Sequence, residues 1–351
     1  MKKFTIILAL VLMVSLLAGC AGTTVIYTDC TCPAGGHTAA PQPAPQSAPE
    51  GAVKTGLAIV PVVKGTDAGE ADGKVEFDVT LVAVTVDDNG VITDCVIDSL
   101  GTTVAFTNAG AINPETNKAP VTKNELGEAY GMKAYAGSKY EWNEQAAALA
   151  DYAVGKTVDE LKNGAVDETG KAADADLASV ATIYIGGYVG AIEVAVNNAQ
   201  HLGAQAGDEL RLATTAKVSF TDAAADANGL IQLDCDAVAL TMKDGVITSC
   251  ALDSLQAKVN VDATGVVKDL NAAPLTKNQL GENYGMVAWG GAKYEWNEQA
   301  ANFAAYVTGK TPAEVSGIAV NEATYPTDAD LTAGVTIAIG GFQALIAKAT
   351  A

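Results

Sequence analysis

The sequence predicts an α+β protein made of two tandem repeats, each a small antiparallel sheet packed with helices. The 351 residues are 49% hydrophobic and 18% charged, a composition typical of a globular chain that buries a core. Several segments recur 154 residues apart, as Thr122 does at Thr276, and this spacing is that of a domain rather than of a solenoid unit. In each repeat, strand patterns come before helical ones. These observations indicate a duplicated α+β domain.

The charge of the chain limits its partners. Lysine and arginine number 21 against 41 aspartates and glutamates, which gives a formal net charge of -20. Binding to nucleic acid releases counterions from phosphates and needs a basic surface, so the sequence predicts no nucleic-acid partner. An anionic membrane surface repels such a chain for the same reason.

The first 19 residues predict an export signal. Lys2 and Lys3 form a basic start, Phe4–Leu17 is apolar and uncharged, and small residues then lead to Cys20. The apolar stretch is too short for a resident membrane helix. The sequence Leu17-Ala18-Gly19-Cys20 resembles the bacterial lipobox. This resemblance implies that Cys20 is lipidated, becomes the mature N-terminus and anchors the protein to the outer face of the cell membrane. The alternative is a plain cleaved signal with a cysteine there by chance.

Residues 20–54 are predicted to be a tether between this anchor and the folded part. Five prolines lie among small and polar residues with no helical or strand period, which is typical of an extended spacer. Cys30 and Cys32 lie within it, and no histidine or second cysteine pair in an ordered frame supports a metal or redox role for them. The two repeats then follow as residues 55–200 and 201–351.

The remaining cysteines and histidines do not suggest a catalytic or metal site. Cys95, Cys235 and Cys250 are interpreted as small core residues, since three thiols cannot all pair with one another. His37 and His201 are the two histidines of the chain, too few for a zinc site of the usual kinds, and a histidine-based triad lacks its other parts.

Each repeat begins with a predicted hairpin and continues with predicted helices. The hairpins join Phe77–Val86 to Val91–Asp98, and Leu230–Met242 to Val246–Asp253, through turns that contain Asn-Gly or Asp-Gly. Apolar residues at helical spacing predict a helix over Tyr140–Val154. Two capping boxes predict that short helices begin at Thr157 and Thr311, the second with Pro312 at its first position. The repeats end in the apolar segments Ile183–Val196 and Ile337–Ala349, which are predicted to finish in helix.

The segment before each terminal helix carries the most informative pattern, running from Asp174 to Thr182 and from Asp328 to Thr336. Here the chain resembles the FMN-binding domain family, found in membrane-anchored flavoproteins and in Gram-positive lipoproteins of extracellular electron transfer. In that family the motif Asp-x-x-(Ser/Thr)-Gly-Ala-(Thr/Ser) carries FMN on its last hydroxyl through a phosphoester. The resemblance implies the same α+β order of elements and a covalent FMN on Thr182 or Thr336.

Neither repeat has the whole motif. The first repeat has Val180 in place of the glycine and matches at Asp176, Ser179, Ala181 and Thr182. The second has Ala333 and Val335 in place of the motif's Ser and Ala, and matches at Asp330, Gly334 and Thr336. Because glycine lets backbones approach closely, the second repeat is the better candidate for attachment. An ordinary structural role stays open, in which the aspartates cap a helix or turn and the threonines are strand residues.

Two short loops are the best candidates for ligand contact, because binding residues are concentrated between elements. Their candidate residues are Tyr130, Met132, Tyr284 and Met286. Trp142 and Trp296 could stack on a planar ligand, but the sequence favours them as core anchors of their helices. Glutamates at three-residue spacing in both repeats, Glu141 with Glu144 and Glu295 with Glu298, are more typical of a solvated face than of an acid–base pair.

Two classes of function follow. In the first, the protein is a lipid-anchored electron carrier in which FMN does the redox chemistry between a membrane donor and an extracellular acceptor. In the second, it is a non-enzymatic cell-surface protein without cofactor, which binds a solute or has a structural role. The sequence shows no nucleophile elbow, phosphate loop or dinucleotide fingerprint, so an enzyme of those classes is not expected.

Overall fold

The computed structural model describes residues 51–116 and 119–351. The predicted signal, Cys20, Cys30, Cys32 and all of the tether before residue 51 lie outside them. The strands are β1 (Lys54–Thr66), β2 (Gly73–Val86), β3 (Ile92–Phe106), β4 (Glu209–Thr221), β5 (Gly229–Lys243), β6 (Val246–Val261) and β7 (Val267–Lys268). The helices are α1 (Lys123–Leu126), α2 (Met132–Ala136), α3 (Trp142–Ala153), α4 (Val158–Gly164), α5 (Ala175–Val180), α6 (Gly186–Asn197), α7 (Lys277–Leu280), α8 (Trp296–Val307), α9 (Pro312–Ser316), α10 (Ala329–Thr332) and α11 (Gly340–Ala349). Short 3₁₀ turns cover Pro114–Thr116, Gly127–Tyr130 and Gly281–Tyr284.

Each repeat forms an antiparallel meander. The first half has the order β1-β2-β3 and the second β4-β5-β6-β7, so the predicted α+β class is confirmed. Both predicted hairpins are present, and in each the register shifts at the same place, after Thr85 and after Thr241. The first strand of each half was not predicted from the sequence. β1 begins at Lys54, the last residue of the predicted tether.

The two sheets pack face to face and share one apolar interior. Alternate side chains of each strand point to this side, because successive residues of a strand face opposite ways. Phe77 and Leu81 of the first half lie in the same buried cluster as Ile231 and Leu233 of the second. The hydroxyls of Thr55 and Ser249 also meet across the halves, with their oxygen atoms 2.7 Å apart. Each half therefore covers the inner sheet face of the other.

Helices cover the outer face of each sheet. In the first half, Trp142 and Leu149 of α3 and Ile192 of α6 pack on the sheet, and α8 and α11 do the same in the second half. The predicted helices over Tyr140–Val154 and at the end of each repeat are confirmed with slightly later starts. The order of layers is helix, sheet, sheet, helix.

The predicted capping boxes are present. The Thr157 and Thr311 hydroxyls each accept a hydrogen bond from the backbone three residues on, at 3.3 Å. Pro312 occupies the start of α9, as its fixed φ favours. Two further boxes, which begin at Thr122 and Thr276, start α1 and α7.

Cys95, Cys235 and Cys250 are buried free thiols, as predicted for core residues. Burial raises the pKa of both Cys235 and Cys250 to about 12, so their reactive thiolate forms are suppressed. Over residues 51–116 and 119–351, none of the helices combines the length and the apolar character needed to span a bilayer.

Candidate functional site

An open groove of about 500 Å³ lies on the first half, where α1 and α2 meet the start of α3 and the segment that leads into α6. It contains Tyr130 and Met132, two of the predicted contact residues. Half of its lining residues are aromatic. The lining residues are Lys123, Tyr130, Gly131, Met132, Tyr135, Ala136, Trp142, Ile183, Tyr184 and Tyr188.

Gly131 shapes one side of this groove. Its φ of 84° lies in the left-handed region, which glycine adopts without a Cβ penalty. A Cβ at this position would also collide with the ring of Tyr135. Tyr135 therefore lies directly against the Gly131 backbone, and 90% of its surface is exposed. The sequence analysis did not identify Tyr135, although its place four residues after Gly131 is repeated by Trp289 after Gly285.

Glu141 holds the start of α2, the helix that carries Tyr135. Its carboxylate accepts hydrogen bonds from the backbone N–H groups of Met132 at 2.7 Å and Lys133 at 3.1 Å. These are the first free N–H groups of α2, where a negative charge is stabilising. Glu141 is 2% exposed, so the predicted solvated face is wrong for this residue. Glu295 makes the same contacts with Met286 and Val287, so the predicted solvated face is wrong for Glu295 too.

Lys123 and Trp142 form the floor of the groove. The Lys123 ammonium lies 4.9 Å from the ring centroid of Trp142 and 5.2 Å from that of Tyr130. The indole N–H of Trp142 donates to the Tyr188 hydroxyl at 3.1 Å. Trp142 is 2% exposed, so it is a core anchor, as favoured, and it also contributes to the groove wall.

Thr182 lies at the edge of the groove, directly before Ile183 and Tyr184. Its side chain is exposed, and it does not lie in a strand. The buried Gln145 fixes the local backbone, because its carbonyl oxygen accepts from the N–H of Thr182 at 2.7 Å and from that of Ile183 at 3.1 Å. The Thr182 hydroxyl is 3.1 Å from the same oxygen. The strand role considered for Thr182 is therefore wrong.

The aspartate of the motif does not cap α5. Asp174 does, since its carboxylate accepts from the backbone N–H groups of Asp176 and Leu177, both at 3.0 Å. Asp176 is the second residue of the helix and is exposed. The Ser179 hydroxyl donates to the Asp176 carbonyl at 2.7 Å. Asp328 caps α10 in the same way, which corrects the capping role considered for Asp176 and Asp330.

The second half repeats the threonine contact and differs at the glycine. Thr336 is exposed outside any strand, with its N–H 2.8 Å from the Gln299 oxygen, so the strand role is wrong here too. Gly334 does not have a positive φ. A Cβ on Gly334 would instead meet the Asn302 side chain, 2.9 Å from its amide nitrogen.

The two predicted contact residues of the second half, Tyr284 and Met286, lie together beside the apolar core of that half. The Tyr284 hydroxyl donates to Gln256 at 3.2 Å. The Lys277 ammonium lies 5.1 Å from the Tyr284 ring centroid and 4.8 Å from that of Trp296. Lys277 thus has the same place as Lys123 in the first half.

Within the part of the chain that the structure describes, no group of three or more His, Cys, Asp or Glu side chains is placed to hold a metal ion. Comparison of the chain with protein-family models, with curated proteins and with solved structures finds no match. The aromatic groove and the exposed threonine at its edge are the features on which a function can be argued.

Proposed function

We propose that this protein is an extracytoplasmic, membrane-anchored redox carrier that holds FMN on its first half. One observation carries the proposal: the exposed residue Thr182 directly precedes Ile183 and Tyr184, which line an aromatic groove. A phosphoester on the Thr182 hydroxyl would leave the flavin ring within reach of the groove. The resemblance to FMN-binding domains suggests FMN as the cofactor, and the groove offers a surface on which its ring could lie.

The residues of the groove fit such a group. Its volume of about 500 Å³ lies within the usual range for small-molecule sites, about 300–1,000 Å³. The rings of Tyr135 and Tyr184 are 90% and 67% exposed and offer flat faces for stacking. Lys123 on the floor offers a positive charge in an otherwise acidic chain. A planar ring system that carries negative charge matches these three features.

The chain's own residues bind and orient, while a bound flavin supplies the redox chemistry. Gln145 fixes the backbone at Thr182 and accepts a hydrogen bond from its hydroxyl. Glu141 fixes the start of α2, the helix that carries Tyr135. The groove is open on one side, so one edge of a bound ring would face solvent and a redox partner. The predicted Cys20 anchor would keep the carrier between a membrane donor and an extracellular acceptor.

The geometry favours the first half over the second for this role, which reverses the preference drawn from the glycine of the motif. The backbone of Gly334 does not have a positive φ that would require glycine. The Asn302 side chain instead occupies the space that a Cβ on Gly334 would need. The first half has Ala148 at the place of Asn302 and accommodates Val180 there. Thr336 is exposed in the same way and remains the second candidate for attachment.

The proposal is tested by intact mass of the full chain, expressed with its native export and flavin-transfer machinery. We expect the added mass of FMN on the wild-type protein and its loss in Thr182→Val. Thr336→Val is the matched variant in the second half and is expected to keep the mass.

The outcomes separate the versions of the proposal. Loss of FMN in Thr336→Val instead of Thr182→Val would move the site to the second half. A yellow protein that releases its flavin on denaturation would replace covalent attachment by simple binding. A colourless protein without added mass, made in the presence of the transfer machinery, would overturn the flavin assignment.

The second candidate function is reversible binding of a solute without a cofactor. The high exposure of Tyr135 and Tyr184 favours it, because an open groove with exposed rings exchanges its ligand readily. A colourless protein whose melting temperature rises with an added planar solute, and does not rise in Tyr135→Ala, would support this function.

A further inference from the structure

We propose that the second half has a separate binding site, centred on Trp289, for an uncharged planar aromatic compound. Trp289 is 89% exposed, whereas Trp142 and Trp296, the other two tryptophans of the chain, are buried. Leaving so large an apolar ring in water is unfavourable, and exposed aromatic side chains are typical of binding surfaces. The proposal does not depend on flavin binding by the first half.

The ring of Trp289 is positioned by the same frame that positions Tyr135. Gly285 has φ 83°, and a Cβ on it would collide with the Trp289 ring. The backbone N–H of Trp289 donates to the Gly285 carbonyl at 2.9 Å. The carboxylate of Glu295, only 5% exposed, accepts from the N–H groups of Met286 at 2.8 Å and Val287 at 3.0 Å. The loop is therefore fixed in advance, which lowers the entropy cost of binding.

Five of the residues around this frame make it less polar than its counterpart in the first half. Together their changes remove three hydroxyls and two ammonium groups while they add one hydroxyl and one indole. The changes from first half to second are Tyr135 to Trp289, Tyr184 to Ala338, Tyr188 to Phe342, Lys133 to Val287 and Lys171 to Tyr325. Ala338 also shortens the wall that Tyr184 forms in the first half. The result is a less polar surface than that of the first groove.

Charge decides the class of ligand. Lys277 keeps the place of Lys123, and its ammonium lies 4.8 Å from the Trp296 centroid. It opposes a cationic ligand, while Val287 and Tyr325 stand where the first half has Lys133 and Lys171, so an anionic ligand finds less positive charge here than in the first half. Val287 is 44% exposed and adds apolar surface. An uncharged fused-ring compound matches this surface best.

Equilibrium dialysis of the predicted mature chain, residues 20–351, against 2-naphthol tests the proposal. We expect saturable binding at one site. Trp289→Ala should weaken it at least tenfold, while Tyr135→Ala, the matched variant in the first half, should change it less than twofold. Naphthalene-2-sulfonate, a charged probe of the same ring size, should bind at least tenfold more weakly than 2-naphthol. Trp289 is exposed, so its replacement should leave the circular dichroism spectrum unchanged.

Fluorescence gives an independent readout, because Trp289 is the exposed emitter. Binding of 2-naphthol should quench the tryptophan emission that acrylamide, a quencher of exposed tryptophans, also quenches. Trp289→Phe should still bind 2-naphthol in dialysis but should lose this change in fluorescence. Equal loss of binding in Tyr135→Ala and Trp289→Ala, tighter binding of the sulfonate, or absence of saturable binding by the wild-type chain would each overturn the proposal.

Discussion

The side-chain amide of Asn302 donates to the carbonyl of Gly334 at 3.1 Å and fills the space that a Cβ on Gly334 would need. In the first half the same two places are held by Ala148 and Val180. In the second half the larger side chain of this contact is on the helix α8, and in the first half it is on Val180, at the end of α5. The glycine at this position therefore reflects packing in the second half rather than a backbone conformation that only glycine adopts.

This relationship predicts the effect of giving the second half the first half's residues. Gly334→Val alone should lower the free energy of unfolding by about 1 kcal/mol, because the new side chain displaces Asn302 and breaks its hydrogen bond. Adding Asn302→Ala should recover most of that loss. Chemical unfolding of the two single variants and the double variant measures the coupling. Additive effects of the two changes would contradict the exchange.

Gln145 is predicted to be among the most sensitive polar residues of the first half. It is fully buried, and its oxygen accepts from the N–H groups of Thr182 and Ile183. Gln145→Leu would leave these donors without a partner at a cost of about 2–3 kcal/mol. Thr182→Val keeps both backbone bonds and should cost under about 0.5 kcal/mol. Urea unfolding of the two variants tests the difference, and equal losses would contradict it.

Asp253 should make the protein less stable as the pH rises from about 4 to 6. The side chain is 5% exposed, and burial raises the pKa of this carboxyl to about 6 from an ordinary value of 3.8. The folded state binds the proton more tightly than the unfolded state, so the free energy of unfolding falls through this window, by up to about 3 kcal/mol. Above pH 6 the cost is fully present.

Asp253→Asn should remove the loss of stability that comes from burying the charged carboxylate. Its amide oxygen can still accept from the N–H groups of Ser254 and Asn278, which lie 2.7 and 3.1 Å from the native carboxylate oxygen. The variant should be more stable than the wild type at pH 7.5, and the two should converge near pH 4. Thermal unfolding across this range gives the comparison. A variant that is equally destabilised at both pH values would show that the hydrogen bonds, and not the charge, dominate.

The shared interior predicts that the two halves unfold together. Phe77 is buried in a cluster that contains strands of both sheets. Phe77→Ala should cost about 3–5 kcal/mol, because it leaves a cavity in that interior. Hydrogen exchange should then show reduced protection in β5 and β6 as well as in β2 and β3. If exchange rose in the first half alone, the halves would be independent folding units.

Much of the fold could be predicted because short sequence patterns determine its turns and helix starts. The Asn-Gly and Asp-Gly turns between alternating residues set the hairpins, and the Thr157 and Thr311 boxes set two helix starts. β1 and β4 were missed, although Asp72-Gly73 and Asn228-Gly229 precede the strands with which they pair. The connections there are longer than a two-residue turn, so the hairpin signal is weaker. The packing of one sheet on the other could not be predicted from short sequence patterns either, since it depends on which faces of distant strands meet.

The candidate site was predicted in part. Tyr130 and Met132 could be named because they fall in a repeated loop, and the structure brings them to one groove. Glu141 was misread, since helical spacing does not show that a carboxylate turns back onto the start of another helix. Tyr135 was missed, because its importance comes from contact with Gly131 and from exposure, neither of which follows from spacing. The repeat of this pair by Gly285 and Trp289 was the available signal.

The common interior of the two sheets also bears on how such a chain can evolve. A protein with one copy of the unit would expose an entire apolar sheet face, and the simplest cover for it is the same face of a second molecule. The duplicated chain is thus equivalent to a homodimer whose subunits have been joined by a peptide linkage. Joining frees each subunit from the symmetry of its partner, so the surfaces that carry Tyr135 and Trp289 can change independently while the junction between the sheets stays the same.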